Sequence, residues 1–165
     1  MVSLTQMWRR IIMYATELTR QQLEEMGIVD VVRDETAPFG WRIYRHWYPH
    51  GIKGHRWPEK RTFELKITFS TARHNKGRDK SYPLVNFSYE KKAHSYTLSR
   101  FLYAWFYGKV ERGYCVDHEV NDPFWNDLVN LSAKTTAENN QKRFLDNPHV
   151  GCFNQFYNTV KGGKK

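Results

Sequence analysis

Alternation, capping signals and one polar unit near the C-terminus predict an α+β fold for this 165-residue chain. The expected form is a small mixed domain of antiparallel hairpins, closed by a strand–loop–strand–helix unit. Period-two alternation is the first observation, cleanest in Phe63-Glu64-Leu65-Lys66-Ile67-Thr68-Phe69, and it marks a half-buried strand. The second is a pair of capping boxes, Thr19-Arg20-Gln21-Gln22 and Thr135-Thr136-Ala137-Glu138, whose side chains satisfy first-turn N–H groups. The third is the stretch from Tyr114 to Arg143. There, a short strand (Tyr114, Cys115, Val116) delivers Asp117 and His118 to a turn-rich loop containing Asn121, Asp122, Pro123, Asn126 and Asp127. A second strand over Asn130 to Lys134 and a helix opening at Thr135 complete the unit. Asn139 falls just inside that helix, where it can face the Asp-His pair. One imidazole, one carboxylate and one or two amides are thereby expected around a single point.

Taken in order, residues 1–28 read as helical. Leu4, Met7, Trp8, Ile11 and Ile12 form one apolar face, and a second helix over Gln21–Met26 stops at Gly27. Strands follow at Ile28–Val32 and Trp41–Tyr48, the second alternating aromatic or aliphatic residues with basic ones. Pro49–Lys60 is a loop rich in Gly, His and Pro, and Thr71–Ser81 is a polar, basic connector. A hairpin is expected from Pro83–Tyr89 and Ser95–Leu98 around a five-residue loop, Glu90 to His94. Ser99–Tyr107 is apolar enough for a buried helix and ends at Gly108. Asn147-Pro148 breaks the last helix, leaving residues 147–165 as a tail.

Composition narrows the partners. With 26 Lys and Arg against 17 acids the chain carries +9, which points first to a polyanion, nucleic acid ahead of an acidic membrane. The surplus is concentrated between Arg42 and Lys80, where eleven Lys or Arg face three acids and are interleaved with Trp41, Tyr44, Trp47, Tyr48 and Trp57. Such strands suit phosphate and base-face contact; an ordinary solvated sheet face has the same composition. Cys115 and Cys152 cannot build a four-cysteine site and show no CxxC spacing, so no structural zinc is expected. Reduced thiols and a cytoplasmic setting are the simplest reading. No apolar run approaches the ~20 residues of a membrane span. Trp8–Met13 is cut short by Thr16 and Glu17, so a signal peptide is not expected either.

The spacing of the polar residues resembles the HNH endonuclease family, and within it the phage and homing enzymes whose final His is an Asn. The residues that carry the likeness are Asp117-His118 in VDH, Asn130 twelve residues after the His in an NL pair, and Asn139 nine further on in ENN before a basic pair. It covers roughly the second half of the chain; residues 1–75 show none. In that family a hairpin and a helix with an HRLV-like opening precede the VDH strand. Here the opening reads SRFL, with Ser99 in place of the His and Arg100 kept.

The resemblance implies a C-terminal ββα-metal finger that hydrolyses DNA phosphodiester bonds with one divalent ion, leaving a 3′ hydroxyl and a 5′ phosphate. It casts His118 as general base and Asn130 as a bridge that fixes how His118 is presented. Asp117 and Asn139 become the protein ligands of Mg²⁺ or Mn²⁺, a choice that oxygen donors favour. Double-stranded DNA is the implied partner, in a bacterial host or phage setting. The expected organisation is an N-terminal region over 1–80 with a possible DNA-binding role, a nuclease domain over 81–146, and the tail. Candidate DNA contacts are Arg42, Arg45, Lys53, Arg56, Arg73, Lys76, Arg78, Arg100, Lys142 and Arg143. For Arg100, holding a phosphate and anchoring its helix remain equal alternatives. A DNA-binding module that keeps the finger without cleaving is the alternative function.

Overall fold

The computed structural model describes residues 16–47, 61–69 and 82–146. Mostly antiparallel strands with few helices make it a mixed α/β fold. The predicted helix over Leu4–Ile12, the loop 49–60, the connector 71–81 and the tail lie outside the described residues.

Strand β1 (Leu18–Thr19) leads directly into helix α1 (Arg20–Glu25) through the predicted capping box. Gln22 N donates to Thr19 Oγ1 at 3.1 Å, and Thr19 N donates to Gln22 Oε1 at 2.9 Å. The chain then reverses at Gly27, whose φ of 93° is left-handed. A Cβ there would meet the His46 carbonyl at 2.6 Å, so only glycine fits. Strands β2 (Ile28–Arg33), β3 (Trp41–Trp47) and β4 (Arg61–Glu64) form one antiparallel sheet.

The run Phe63–Phe69, read as a single strand, is divided. Its first half belongs to β4; its second half, β5 (Ile67–Phe69), pairs with β6 (Pro83–Tyr89) in a second sheet completed by β7 (Lys92–Thr97). Leu65 N still donates to Ile43 O at 2.8 Å, so the chain leaves one sheet and enters the other within two residues. Alternation fixes which side chains share a face but not which neighbour the backbone pairs with. The β6–β7 hairpin also turns more tightly than expected. Only Glu90 and Lys91 form the turn, both left-handed at φ 47° and 63°. Lys92, Ala93 and His94 belong to the strand, where His94 stacks on Phe87 with ring centroids 5.7 Å apart. No Asn or Gly announces this turn.

Helix α2 (Leu98–Tyr107) is the centre of the core. Leu98, Phe101, Leu102, Ala104 and Trp105 are buried, together with Leu23, Ile28, Ile43, Val85, Val110 and Leu131 from elements on both sides of position 80. Burying one such large side chain stabilises by about 1.5–3 kcal/mol. Strand β8 (Lys109–Val110) pairs back to β1, closing the core. The chain then enters β9 (Tyr114–His118), β10 (Leu131–Thr135) and α3 (Thr136–Asp146), in the predicted order. Asn130, expected to start the second strand, ends a 3-10 turn (Leu128–Asn130) immediately before it. The second capping box is present: Glu138 N donates to Thr135 Oγ1 at 3.2 Å and Thr135 N to Glu138 Oε2 at 2.7 Å. Among the described residues no helix is long and apolar enough to cross a membrane.

Candidate active site

Register places the candidate residues. Asp117 pairs with Ser132, Cys115 with Lys134, and His118 with Leu131. Because strand side chains alternate, Cys115, Asp117, Ser132 and Lys134 share the face towards α3, while Tyr114, Val116 and His118 share the other with Leu131. The expectation that the Asp117 and His118 side chains gather at one point is therefore corrected in part. They leave the strand end on opposite faces.

On its own face His118 is 8% exposed, and its Nε2 lies 3.1 Å from Asn126 Oδ1. The Asn126 amide nitrogen donates to Pro123 O at 3.0 Å and Phe124 O at 3.2 Å, which turns its oxygen towards the imidazole. The proton of a neutral ring is thereby assigned to Nε2, and Nδ1 is left as the basic nitrogen. Asn126 itself is held from across the fold, since Trp41 Nε1 donates to its carbonyl at 3.0 Å. Next to it, Asp127 accepts from Arg33 and, at 2.7 Å, from Trp125 Nε1. Sequence alone does not single out Asn126, because an Asn in a polar loop looks like any turn residue.

Asn130 bridges the same loop. Its Oδ1 accepts from Val120 N at 2.9 Å, its Nδ2 donates to Trp125 O at 2.8 Å, and its own carbonyl accepts from Glu119 N at 2.8 Å. The start and the middle of the loop are thus tied to one buried amide, which bridges the loop backbone.

The other face is a charge cluster. Asp117 Oδ2 accepts from Lys142 Nζ at 2.7 Å and from Lys134 Nζ at 3.2 Å, and Lys134 also pairs with Glu119 Oε1 at 2.9 Å. Burial works against the charge on Lys134, but its hydrogen bonds to Glu119 and Asp117 outweigh it and the pKa is raised. Lys142, expected on a DNA-facing surface, is folded inward instead, because the carboxylate and two main-chain carbonyls offer it partners. Asn139 is half-buried on the same side, beside the Cys115 thiol. Burial pushes that thiol up, and the neighbouring Asp117 adds to the effect, while Asn139 works the other way. The thiol donates to Lys134 O at 3.3 Å.

Among the described residues no three His, Cys, Asp or Glu side chains converge as a metal-holding group. The donors that do converge are oxygens: the Asp117 carboxylate and the His118 and Glu119 carbonyls, all within 3.2 Å of the Lys142 ammonium. A set that already holds a cation through hard oxygens has the chemistry a Mg²⁺ ion needs.

Several expected DNA contacts are corrected. Arg45 is 7% exposed, donates from Nε to Met26 O at 2.8 Å and lies 4.9 Å over the Phe87 ring. Its burial pushes its pKa down. Arg100 is 5% exposed and donates to the Tyr114 carbonyl at 2.8 Å and to the Thr16 carbonyl, so it anchors α2 from within. Arg42 is partly exposed, but Asp34 at 2.5 Å and Glu64 at 3.0 Å neutralise it and raise its pKa. Lys53, Arg56, Arg73, Lys76 and Arg78 lie outside the described residues, as does the Arg143 side chain. Around the loop, Phe39, Phe69 and Phe124 form a partly exposed aromatic group with centroids 4.9–6.5 Å apart.

No protein-family model, curated protein or solved structure matches the chain.

Proposed function

We propose that the chain is a metal-dependent DNA endonuclease of the HNH kind, its ββα-metal finger built from β9, the loop, β10 and α3. One observation carries this reading: a buried imidazole at a strand end, with Nε2 committed to Asn126 Oδ1 in a loop stapled by Asn130. A histidine whose tautomer is fixed in this way is prepared to accept a proton at Nδ1.

The chemistry follows from that nitrogen. Nδ1 of His118 takes a proton from water, and the water oxygen forms a bond to the scissile phosphorus. The bond from phosphorus to the 3′ oxygen breaks with its electron pair left on that oxygen, which takes a proton from solvent water, giving a 3′ hydroxyl and a 5′ phosphate. Asp117, with Asn139 one turn into the helix, would hold a Mg²⁺ or Mn²⁺ ion. When bound, that ion supplies Lewis-acid stabilisation of charge on the phosphate and on the leaving oxygen. Asn126 and Asn130 hold the base and its loop against reorientation. Double-stranded DNA is the substrate we assign, in the cytoplasm of a bacterial host or encoded by its phage.

Conversion of supercoiled plasmid to nicked or linear forms, with Mg²⁺ and with EDTA, tests the reading. Cleavage with Mg²⁺ that EDTA abolishes is expected; no cleavage at any Mg²⁺ or Mn²⁺ concentration rejects it. The second reading, a non-catalytic DNA-binding module, is favoured by the inward Lys142, which neutralises Asp117. Retained DNA binding without cleavage would establish it.

A further inference from the structure

Three consecutive residues present oxygens to one ammonium. Lys142 Nζ lies 2.7 Å from Asp117 Oδ2, 2.7 Å from His118 O and 3.2 Å from Glu119 O. Its side chain is only 18% exposed, and the three donors of an ammonium match the three acceptors. Lys134 Nζ stands 3.2 Å from the same Asp117 oxygen and pairs closely with Glu119 at 2.9 Å, whereas Lys142 reaches the Glu119 carboxylate only at 4.0 Å.

A Mg²⁺ ion binds a carboxylate oxygen at about 2.0–2.1 Å. Bound at Asp117 with Lys142 still in place, it would lie within about 4 Å of a second positive charge in a partly buried setting, where like charges repel strongly. Asp117 Oδ2 already takes two ammoniums, and a divalent ion cannot join both; Lys134 has Glu119 Oε1 at 2.9 Å to fall back on, so Lys142 is the one that must leave the cradle. From this we infer that Lys142 is the resident cation of the Asp117 cradle and that a divalent ion and the Lys142 ammonium occupy it in alternation. The inference deepens the nuclease reading, since it rests on Asp117 being the metal ligand. Lys142 lies three residues after Asn139, on the same side of α3, so one helix face carries both an amide donor for the ion and the cation it displaces. An apo protein so built keeps its carboxylate neutralised. Loading it with a divalent ion releases an ammonium next to the ion, where a substrate phosphate becomes its partner.

Mn²⁺ binding to the full chain without DNA, followed by electron paramagnetic resonance, provides the test. Lys142→Met keeps the apolar stem and removes the competitor, so its Mn²⁺ affinity should exceed wild type by about tenfold or more. Lys134→Met should gain less, because Lys134 has Glu119 to retain it. A Lys142→Met affinity equal to or below wild type overturns the inference, and so does Mn²⁺ binding to neither protein. Acetylation of wild-type lysines, read by mass spectrometry, tests it without a substitution. Lys142 should react several-fold faster once Mg²⁺ is added, and an unchanged or slower rate overturns the inference. The two readings fail separately. Plasmid cleavage with no change in Mn²⁺ affinity in Lys142→Met leaves the nuclease and removes the exchange, whereas tighter Mn²⁺ binding without any cleavage does the reverse.

Discussion

In the nuclease proposed above, His118 would serve as base only in one tautomer, and the Asn126 amide decides which. His118→Ala removes the proton acceptor and should lower cleavage by about 10²–10⁴-fold while DNA binding persists; plasmid cleavage alongside a filter-binding assay measures both. Asn126→Ala leaves the buried imidazole N–H unpaired, which should cost about 1–3 kcal/mol of stability. Cleavage should fall with it, because the ring is then free to rotate or to carry its proton on Nδ1. Urea denaturation and steady-state cleavage on the same preparation separate the two effects. If Asn126→Ala cleaves like wild type, the tautomer is set by something else. The placement of Asp117 and His118 at a strand end, of Asn130 just before the second strand and of Asn139 in the first turns of the helix is legible in the sequence, because it depends on local spacing. Asn126, Lys134 and the inward turn of Lys142 are not. Their roles depend on which carbonyls and carboxylates the folded backbone brings within reach, and polar loop or basic helix residues carry no mark of that.

At the scale of elements, both capping boxes and the buried helix α2 are readable, since each depends on residues three or four apart. The split of Phe63–Phe69 between two sheets is not, because the partner strands lie elsewhere in the chain. The β6–β7 turn carries a cost that can be removed. Glu90 and Lys91 both adopt positive φ, where L-residues are strained. Replacing them with Asn-Gly, which suits that conformation, should stabilise the protein by about 0.5–1 kcal/mol, read from the urea midpoint. The β2–β3 connection makes a prediction in pH. Arg42 beside Asp34, with Thr36 helping, holds the Asp34 carboxyl down at about 2 from an ordinary 3.8. A depressed carboxyl contributes stability above its unfolded pKa and loses it as pH falls towards the folded value. Asp34→Asn should therefore melt below wild type at neutral pH, and the difference should close between about pH 4 and pH 2. A gap in melting temperature that is constant across that range would exclude the ion pair as its source.

For the whole molecule, the surplus charge between Arg42 and Lys80 divides in two. Arg42 and Arg45 are committed inside the fold, to carboxylates and to a carbonyl and an aromatic face respectively. Neutralising them should leave the salt dependence of DNA binding unchanged, whatever it does to stability. Among Lys53, Arg56, Arg73, Lys76 and Arg78, each charge that pairs with a phosphate should instead, once neutralised, reduce the slope of log K against log salt by about 0.9. Fluorescence anisotropy on a short duplex over a salt series distinguishes the two groups. Equal slopes for all these variants would place the duplex elsewhere. Net charge points to a polyanion partner, but it does not tell which cations the fold keeps for itself.

The Trp41 indole bond to the Asn126 carbonyl spans 85 positions of chain. With Leu23, Ile28 and Ile43 packed in one core with Val85, Phe101 and Leu131, it ties the proposed catalytic unit to the N-terminal sheet. A minimal nuclease cut out as residues 81–165 would keep every motif residue and still lack the clamp on its base. Expressed alone, that fragment should be inactive. Mixed with a 1–80 fragment, it should recover cleavage by complementation, and a Trp41→Phe version of the partner fragment should restore far less.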